Sequence, residues 1–251
     1  MFFFHSRWPV FYEDNHLLVL YKPAGLLIQR DHKNKANLVD LAKAWIKNRH
    51  AKPGRVYIGM VHRLDAPVAG VVVMARTSKA AARLSEQFRR GQVSKTYLAV
   101  VQGQPPQRSG RLVHQLVRRG RYSQPVAGGT AGSQAAALTY NLMGTGANTS
   151  LLSVDLETGR RHQIRAQLAA IGCPILGDRA YGGTQALPHG RIALMARRLV
   201  ITHPTRNAPV VGECPHPQDW PWATETVETN APLWGIEDYE AQGLDLAKMG
   251  V

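Results

Sequence analysis

Asp65 stands two positions after Arg63 in VHRLDAPVAGVVVMART, at the mouth of an apolar run that reaches Ala75. A carboxylate at the start of a buried strand loses water, which disfavours its charge, and a neighbouring arginine reverses that. Such an ionised, oriented, partly dehydrated group is a useful nucleophile or base. The same Arg-Leu-Asp also suits a plain turn before Pro67, and in isolation that reading wins. A second stretch, ETGRRHQIRAQLAAIGCPILGDRAYGG, gathers Arg160, Arg161 and His162 at the expected start of a helix, where exposed N–H groups favour anions. Arg161 and Arg165 are four apart and are expected to share a helical face. A solvated basic face and a structural histidine are the bland alternatives. In SKTYLAVVQG, Tyr97 is either a core aromatic or a platform on which a base stacks, and spacing alone favours the core.

These residues sit in an unevenly charged chain of 251 residues with a formal net charge of +14. Residues 213–251 hold eight acids and one base, so the preceding body carries 30 bases against nine acids, or +21. Most of the bases are arginine, whose planar fork matches phosphate. A body this basic attracts polyanions, and nucleic acid leads. The two cysteines, Cys173 and Cys214, form no CxxC pair, which argues against a disulfide scaffold or zinc ribbon and for a reducing, cytoplasmic setting. No apolar stretch is long enough to span a bilayer, and the aromatic start MFFFHSRWPV lacks the marks of a secretory leader.

The elements that must position these residues follow from pattern. Leu17 to Tyr21 reads as a strand, followed by a Pro-Gly turn and a second short strand in LLIQ. Asn37 is placed to cap a helix whose Leu38, Leu41, Ala42, Trp45 and Ile46 share one face. Ala69 to Ala75 reads as a buried strand, and SKAAARLSEQFRRG as a helix capped by Ser78 and ended by Gly91. KTYLAVVQG, AAALTYNLM, TSLLSVDLETG and RIALMARRLVITHP read as strands, and RRHQIRAQLAAIG as a helix. Arg118 to Ser133, rich in Gly, Ser and Arg, reads as a mobile basic loop. The last thirty residues are expected to pack loosely. Strand and helix mix without βαβ alternation, so an α+β domain around a large, mostly antiparallel mixed β-sheet with flanking helices and loops is expected.

Taken in order, HRLD with its glycine and apolar run, KxYxAxVxG, TGRxHQIR and GxPIxGDxxYG closely resemble the RluA-type pseudouridine synthase family. The resemblance runs from about residue 10 to 203, and YKPAGLL belongs to the same pattern. It implies the pseudouridine synthase fold, a catalytic domain over 1–212 with an acidic C-terminal extension over 213–251, and no S4-type RNA-binding domain. It implies an isomerase that converts specific uridines of ribosomal or transfer RNA to pseudouridine, as a cytoplasmic monomer without membrane attachment, metal or cofactor. Carried over by position, Asp65 is the nucleophile or base, Tyr97 packs against the target base, and Arg165 pairs with the catalytic carboxylate. Arg63 acts in distorting the RNA, and RNA contacts are also expected from His62, Arg160, Arg161, His162, Arg118, Arg119 and Arg121. Two departures stand out: Val68 and Ala69 occupy positions where the family usually has Thr-Ser, and Gln167 one where it commonly has His.

Two other classes compete. A non-catalytic RNA-binding protein of the same fold would leave Asp65 idle, and the Val68-Ala69 departure is its best support. A nuclease or glycosidase needs paired carboxylates, and the nine acids of the body before residue 213 offer no close acidic cluster.

Overall fold

The structure is a computed structural model that describes residues 1–30, 36–222 and 230–249. The chain forms two compact units, Met1–Val93 with Arg197–Val251, and Ser94–Ala196.

In the first unit, β1 (Val10–Glu13) pairs antiparallel with β2 (Leu17–Lys22). After α1 (Leu38–Arg49) and the short β3 (Gly59–Met60), β4 (Ala69–Ala75) pairs antiparallel with β2, and α2 (Ser78–Arg89) follows. All six residues of β2 and all seven of β4 are buried; apolar runs account for Leu17 to Tyr21 and for β4, and Lys22 is the buried exception. Asn37 caps α1 as expected, its side chain accepting the Asp40 N–H at 3.1 Å. The cap of α2 is Thr77, not Ser78: Thr77 is extended, and its Oγ1 accepts the Ala80 N–H at 3.1 Å. The expected second strand at LLIQ does not form. Leu27 and Ile28 instead offer their carbonyls to the Leu38 and Val39 N–H groups, which lack partners within the first turn of α1.

The second unit is a sheet in the order β5 (Ser94–Gln102), β9 (Thr149–Leu156), β8 (Gln134–Thr145), β6 (Ser109–Arg119), β7 (Tyr122–Val126), each neighbour antiparallel. α3 (Gln163–Ala170) follows β9. Residues 118–126 of the segment expected to be a mobile loop form a registered hairpin, with Arg118 opposite Ser123 and Arg119 opposite Tyr122, while 127–133 is turns and irregular chain. Gly120, at φ +58°, supplies the left-handed residue its two-residue turn needs. Pro125 is tolerated because β7 is the last strand of this sheet.

The chain then passes through β10 (Leu194–Thr202), β11 (Pro209–Glu213) and α4 (Ile236–Ala241). The tail expected to pack loosely is instead built into the first unit. Trp220, Leu233, Trp234, Ile236 and Tyr239 are buried. Tyr21 Oη donates to the Leu233 carbonyl at 3.0 Å, Trp8 lies against Tyr239 with ring centroids 4.9 Å apart, and Ala24 exchanges backbone hydrogen bonds with Trp234 and Ile236. Its apolar residues come singly or as the short pair Leu233 and Trp234 among prolines, glycines and acids, so no long run announces them. Glu225 and Glu228 of this tail lie outside the described residues. Eleven strands and four α-helices among the described residues make the fold α+β.

Candidate active site

The expected site residues divide between the units. Asp65, Arg63 and His62 belong to the first. Tyr97, Arg160, Arg161, His162, Arg165, Arg118, Arg119 and Arg121 belong to the second.

Asp65 opens a tight turn into β4: its carbonyl accepts the Val68 N–H at 3.1 Å. Leu64 is buried, Asp65 half-buried and Arg63 exposed, so the arginine faces solvent beside the turn. The turn is held from β2 by Lys22, which is wholly buried. Its Nζ donates to the carbonyls of Pro23 (3.0 Å), Ala66 (3.0 Å) and Val68 (2.7 Å), one acceptor for each ammonium hydrogen. The Ala66 carbonyl also accepts the Gly25 N–H at 2.8 Å, so the lysine and the Pro-Gly turn of YKPAGLL grip the same backbone. Burial pulls the Lys22 pKa down to about 7, against the Asp65 and Glu237 carboxylates, which raise it. Val68 and Ala69 carry no hydroxyl, and the turn's support here is this lysine. His62 is engaged in packing. Its Nε2 accepts the Val73 N–H at 3.0 Å, and its ring stacks on Phe88 with centroids 4.8 Å apart.

In the second unit, the turn before α3 is knitted to β8. Thr158 Oγ1 and the Arg160 N–H both donate to Gln163 Oε1, at 2.7 and 2.9 Å, while Gln163 Nε2 donates to the Ala137 carbonyl at 3.0 Å. His162 adopts φ +51°, so the helix begins only at Gln163. Arg160 and Arg161 therefore lie ahead of the helix, exposed, and Arg161 does not share a helical face with Arg165 as the spacing suggested. Arg165 is buried and meets Asp178 through a fork: Nε to Oδ2 at 2.7 Å and Nη2 to Oδ1 at 2.8 Å. Tyr181 covers the guanidinium, its ring centroid 4.9 Å from Cζ.

The glycines of GDRAYGG explain that loop. A Cβ on Gly177, at φ +86°, would come within 2.5 Å of the Arg191 carbonyl oxygen, and one on Gly183 within 2.8 Å of the Ile175 oxygen. The loop can fold back under Asp178 only where side chains are missing. Gln167 is buried, and its Nε2 faces the Leu112 and Ala136 carbonyls and His114 Nδ1 at 3.0–3.2 Å, fastening α3 to β6 and β8. Tyr97 is nearly buried on β5, opposite Val154 of β9. Arg118, Arg119 and Arg121 are exposed at the hairpin tip.

Residue-by-residue reading passes over Lys22, Asp178 and Tyr181. Each leaves a signal: a lone lysine closing the apolar run LLVLYK, and an acid and a tyrosine each followed or flanked by glycine in GDRAYGG.

Residues 16–170 match the RNA pseudouridylate synthase family. The chain is 32% identical over 218 residues to an RNA pseudouridine synthase of Bacillus subtilis, covering 86% of this chain and 70% of that one. It belongs to the RNA pseudouridylate synthase family. A ribosomal large subunit pseudouridine synthase D of Xylella fastidiosa is 35% identical over 84% of this chain, which spans 66% of that relative. The dual-specificity RNA pseudouridine synthase RluA of Salmonella typhimurium is 35% identical over 78% of this chain and 87% of its own. The solved human RNA pseudouridylate synthase domain containing 4 has the same fold, with a TM-score of 0.71 at 24% identity over 84% of this chain and 89% of that one. Within the span matching the pseudouridylate synthases lie Lys22, Asp65, Tyr97 and Arg165, whereas Asp178 and Tyr181 fall beyond it.

Proposed function

We propose that this pseudouridylate synthase isomerises uridine in ribosomal or transfer RNA, with Asp65 as its nucleophile or base. Relatives carry the names of ribosomal and transfer RNA synthases alike, among them a tRNA pseudouridine synthase C of Haemophilus ducreyi. The observation that carries the assignment is the Asp65 turn, whose backbone is clamped by a buried lysine while the residue itself stays partly exposed. Rigid backbone and an accessible acid are what a positioned nucleophile requires.

The reaction breaks the N1–C1′ bond, turns the uracil and joins C5 to C1′, the hydrogen on C5 leaving as a proton while N1 gains one. Substrate and product have the same composition, so no redox partner or energy source enters the balance. Asp65 either attacks C1′, adds to the uracil ring or removes the proton that generates a glycal. The target base must leave its stack, at a cost of a few kcal/mol that is smallest in loops. Cationic contacts to phosphate offset that cost, from Arg63, Arg121, Arg160, Arg161, His162 and whichever of Arg118 and Arg119 faces the RNA. Tyr97 packs against the extruded base, and Arg165 supplies the cation that keeps the site's carboxylate ionised. We place the enzyme in the cytoplasm as a monomer. Among the described residues no helix is long and apolar enough to cross a membrane.

The test is pseudouridine mapping on total RNA from cells with and without the gene, repeated with purified protein on the transcript identified. One uridine that loses modification in the deletion and regains it in vitro supports the assignment. Unchanged maps together with tight RNA binding would turn it into a non-catalytic RNA-binding protein.

A further inference from the structure

Tyr181 joins several elements of the second unit. Its ring covers the Arg165 guanidinium at 4.9 Å. Its hydroxyl accepts the Ser123 N–H of β7 at 2.8 Å and is hydrogen-bonded to His162 Nδ1 at 2.9 Å. Its edge meets Tyr122, at the turn of the arginine hairpin, with centroids 6.1 Å apart at 86°. The ring also packs against Leu116, Ala136 and Ala166, so it is a lever seated on a fixed base.

We propose that Tyr181 is a positioning residue that fixes Arg165 and ties its orientation to the β6–β7 hairpin. The inference rests on the reading that Arg165 serves the reaction. Asp178 already fixes the plane of the guanidinium through the fork. The aromatic face laid over the cation adds a restraint perpendicular to the plane of the fork and favours the charge. The ring keeps its place because its hydroxyl is pinned at both sides, by a strand amide and by the histidine that starts α3 three residues before Arg165. Any shift of β7 at Ser123 therefore reaches the tyrosine, and through it the arginine. Arg118 pairs in register with Ser123, so a phosphate gripped at the hairpin bears on that strand position. RNA capture and the setting of Arg165 become one event.

The test is a double-substitution cycle on the whole enzyme with its RNA substrate, measuring kcat, KM and Tm. Tyr181→Phe keeps the ring and loses the pins, and we expect kcat to fall five- to tenfold with KM within twofold. Tyr181→Leu loses the ring as well, and should fall about tenfold further. In an Arg165→Lys background, where fork and stacked plane are gone, Tyr181→Phe should change kcat less than twofold. The same five- to tenfold loss in both backgrounds would overturn the inference, since Tyr181 would then act independently of Arg165. So would wild-type kcat in both tyrosine variants while Arg165→Ala is crippled. A fully active Arg165→Ala would instead remove the underlying reading. A lower Tm with unchanged kcat per active site would mark Tyr181 as structural only, and also overturn it.

Discussion

Arg165 and Asp178 form a buried two-point ion pair in which carboxylate and guanidinium lie fork to fork at 2.7 and 2.8 Å. The pair uses two of the five guanidinium N–H groups and sets the plane of the rest. Buried charges of this kind are tolerated only with a partner, and removing one side strands the other. Asp178 thus gives the arginine inside α3 a buried counter-charge.

Asp178→Asn should therefore destabilise the protein by about 3–5 kcal/mol, the usual penalty for breaking a buried pair. Urea denaturation of wild type and variant reads it directly. A loss below about 1 kcal/mol would mean that the fork contributes little to holding Arg165.

Arg165→Ala should reduce turnover more than RNA affinity, because the affinity comes from many phosphate contacts and the turnover from one oriented cation. Arg165→Lys should do milder damage, since a point charge remains although the fork is lost. Single-turnover rates and binding isotherms on the folded fraction separate the two. Equal, small effects of both changes would leave Arg165 without a part in the reaction.

Asp65→Asn should abolish pseudouridine formation while RNA binding stays within about twofold of wild type. The amide is nearly isosteric, and the turn is held through backbone groups that the change does not touch. Mass-spectrometric detection of product from a verified variant is the measurement, and retained turnover would sink the role given to Asp65.

Lys22 carries a pH dependence whose sign follows from burial. Its folded pKa of about 7 lies below the ordinary lysine value near 10.4, so between these the unfolded chain holds a proton that the folded one lacks. Stability then rises with pH across that window, by up to about 1.4 kcal/mol per unit, and the cost of burying the charge is greatest below pH 7. Comparing wild type with Lys22→Met by denaturation from pH 6 to 10 isolates this. The difference should move in favour of wild type as pH rises, and a parallel pair of curves would contradict it.

How much of the fold and site is legible in the sequence depends on whether a residue's duty is local. β2 and β4 can be read because apolar runs declare themselves, and the Asn37 cap because it satisfies an N–H three residues on. The Lys22 clamp cannot, because its acceptors at Ala66 and Val68 are brought to it only by strand pairing across more than forty residues. The helix at Arg165 starts later than its sequence suggests because nothing in RRHQIR announces that His162 turns left-handed. The tail's Trp234 and Tyr239 are separated by acids and glycine, so their burial appears only once the N-terminal Trp8 and Tyr21 are in place.

At the hairpin, the difference between loop and strand changes what RNA can touch. A loop could drape all three arginines over one RNA surface, but a registered strand cannot. Successive residues of a strand point to opposite faces, so Arg118 and Arg119 diverge, while Arg121 sits in the turn itself. A phosphate backbone running along one face meets one of the strand arginines and the turn residue. Changing Arg118, Arg119 and Arg121 together to alanine should weaken binding to unrelated RNAs. The slope of log affinity against log salt should fall by roughly 0.7 to 0.9 for each phosphate no longer neutralised, hence by about 1.4 to 1.8 for two phosphates. The single changes should split: one of Arg118→Ala and Arg119→Ala should lower the slope as the release of one phosphate does, and the other should hardly alter it. Filter-binding titrations across a salt series provide all of these numbers. Equal reductions from both single changes would favour a hairpin that the RNA wraps on both faces, and unchanged binding in the triple variant would remove the hairpin from RNA capture.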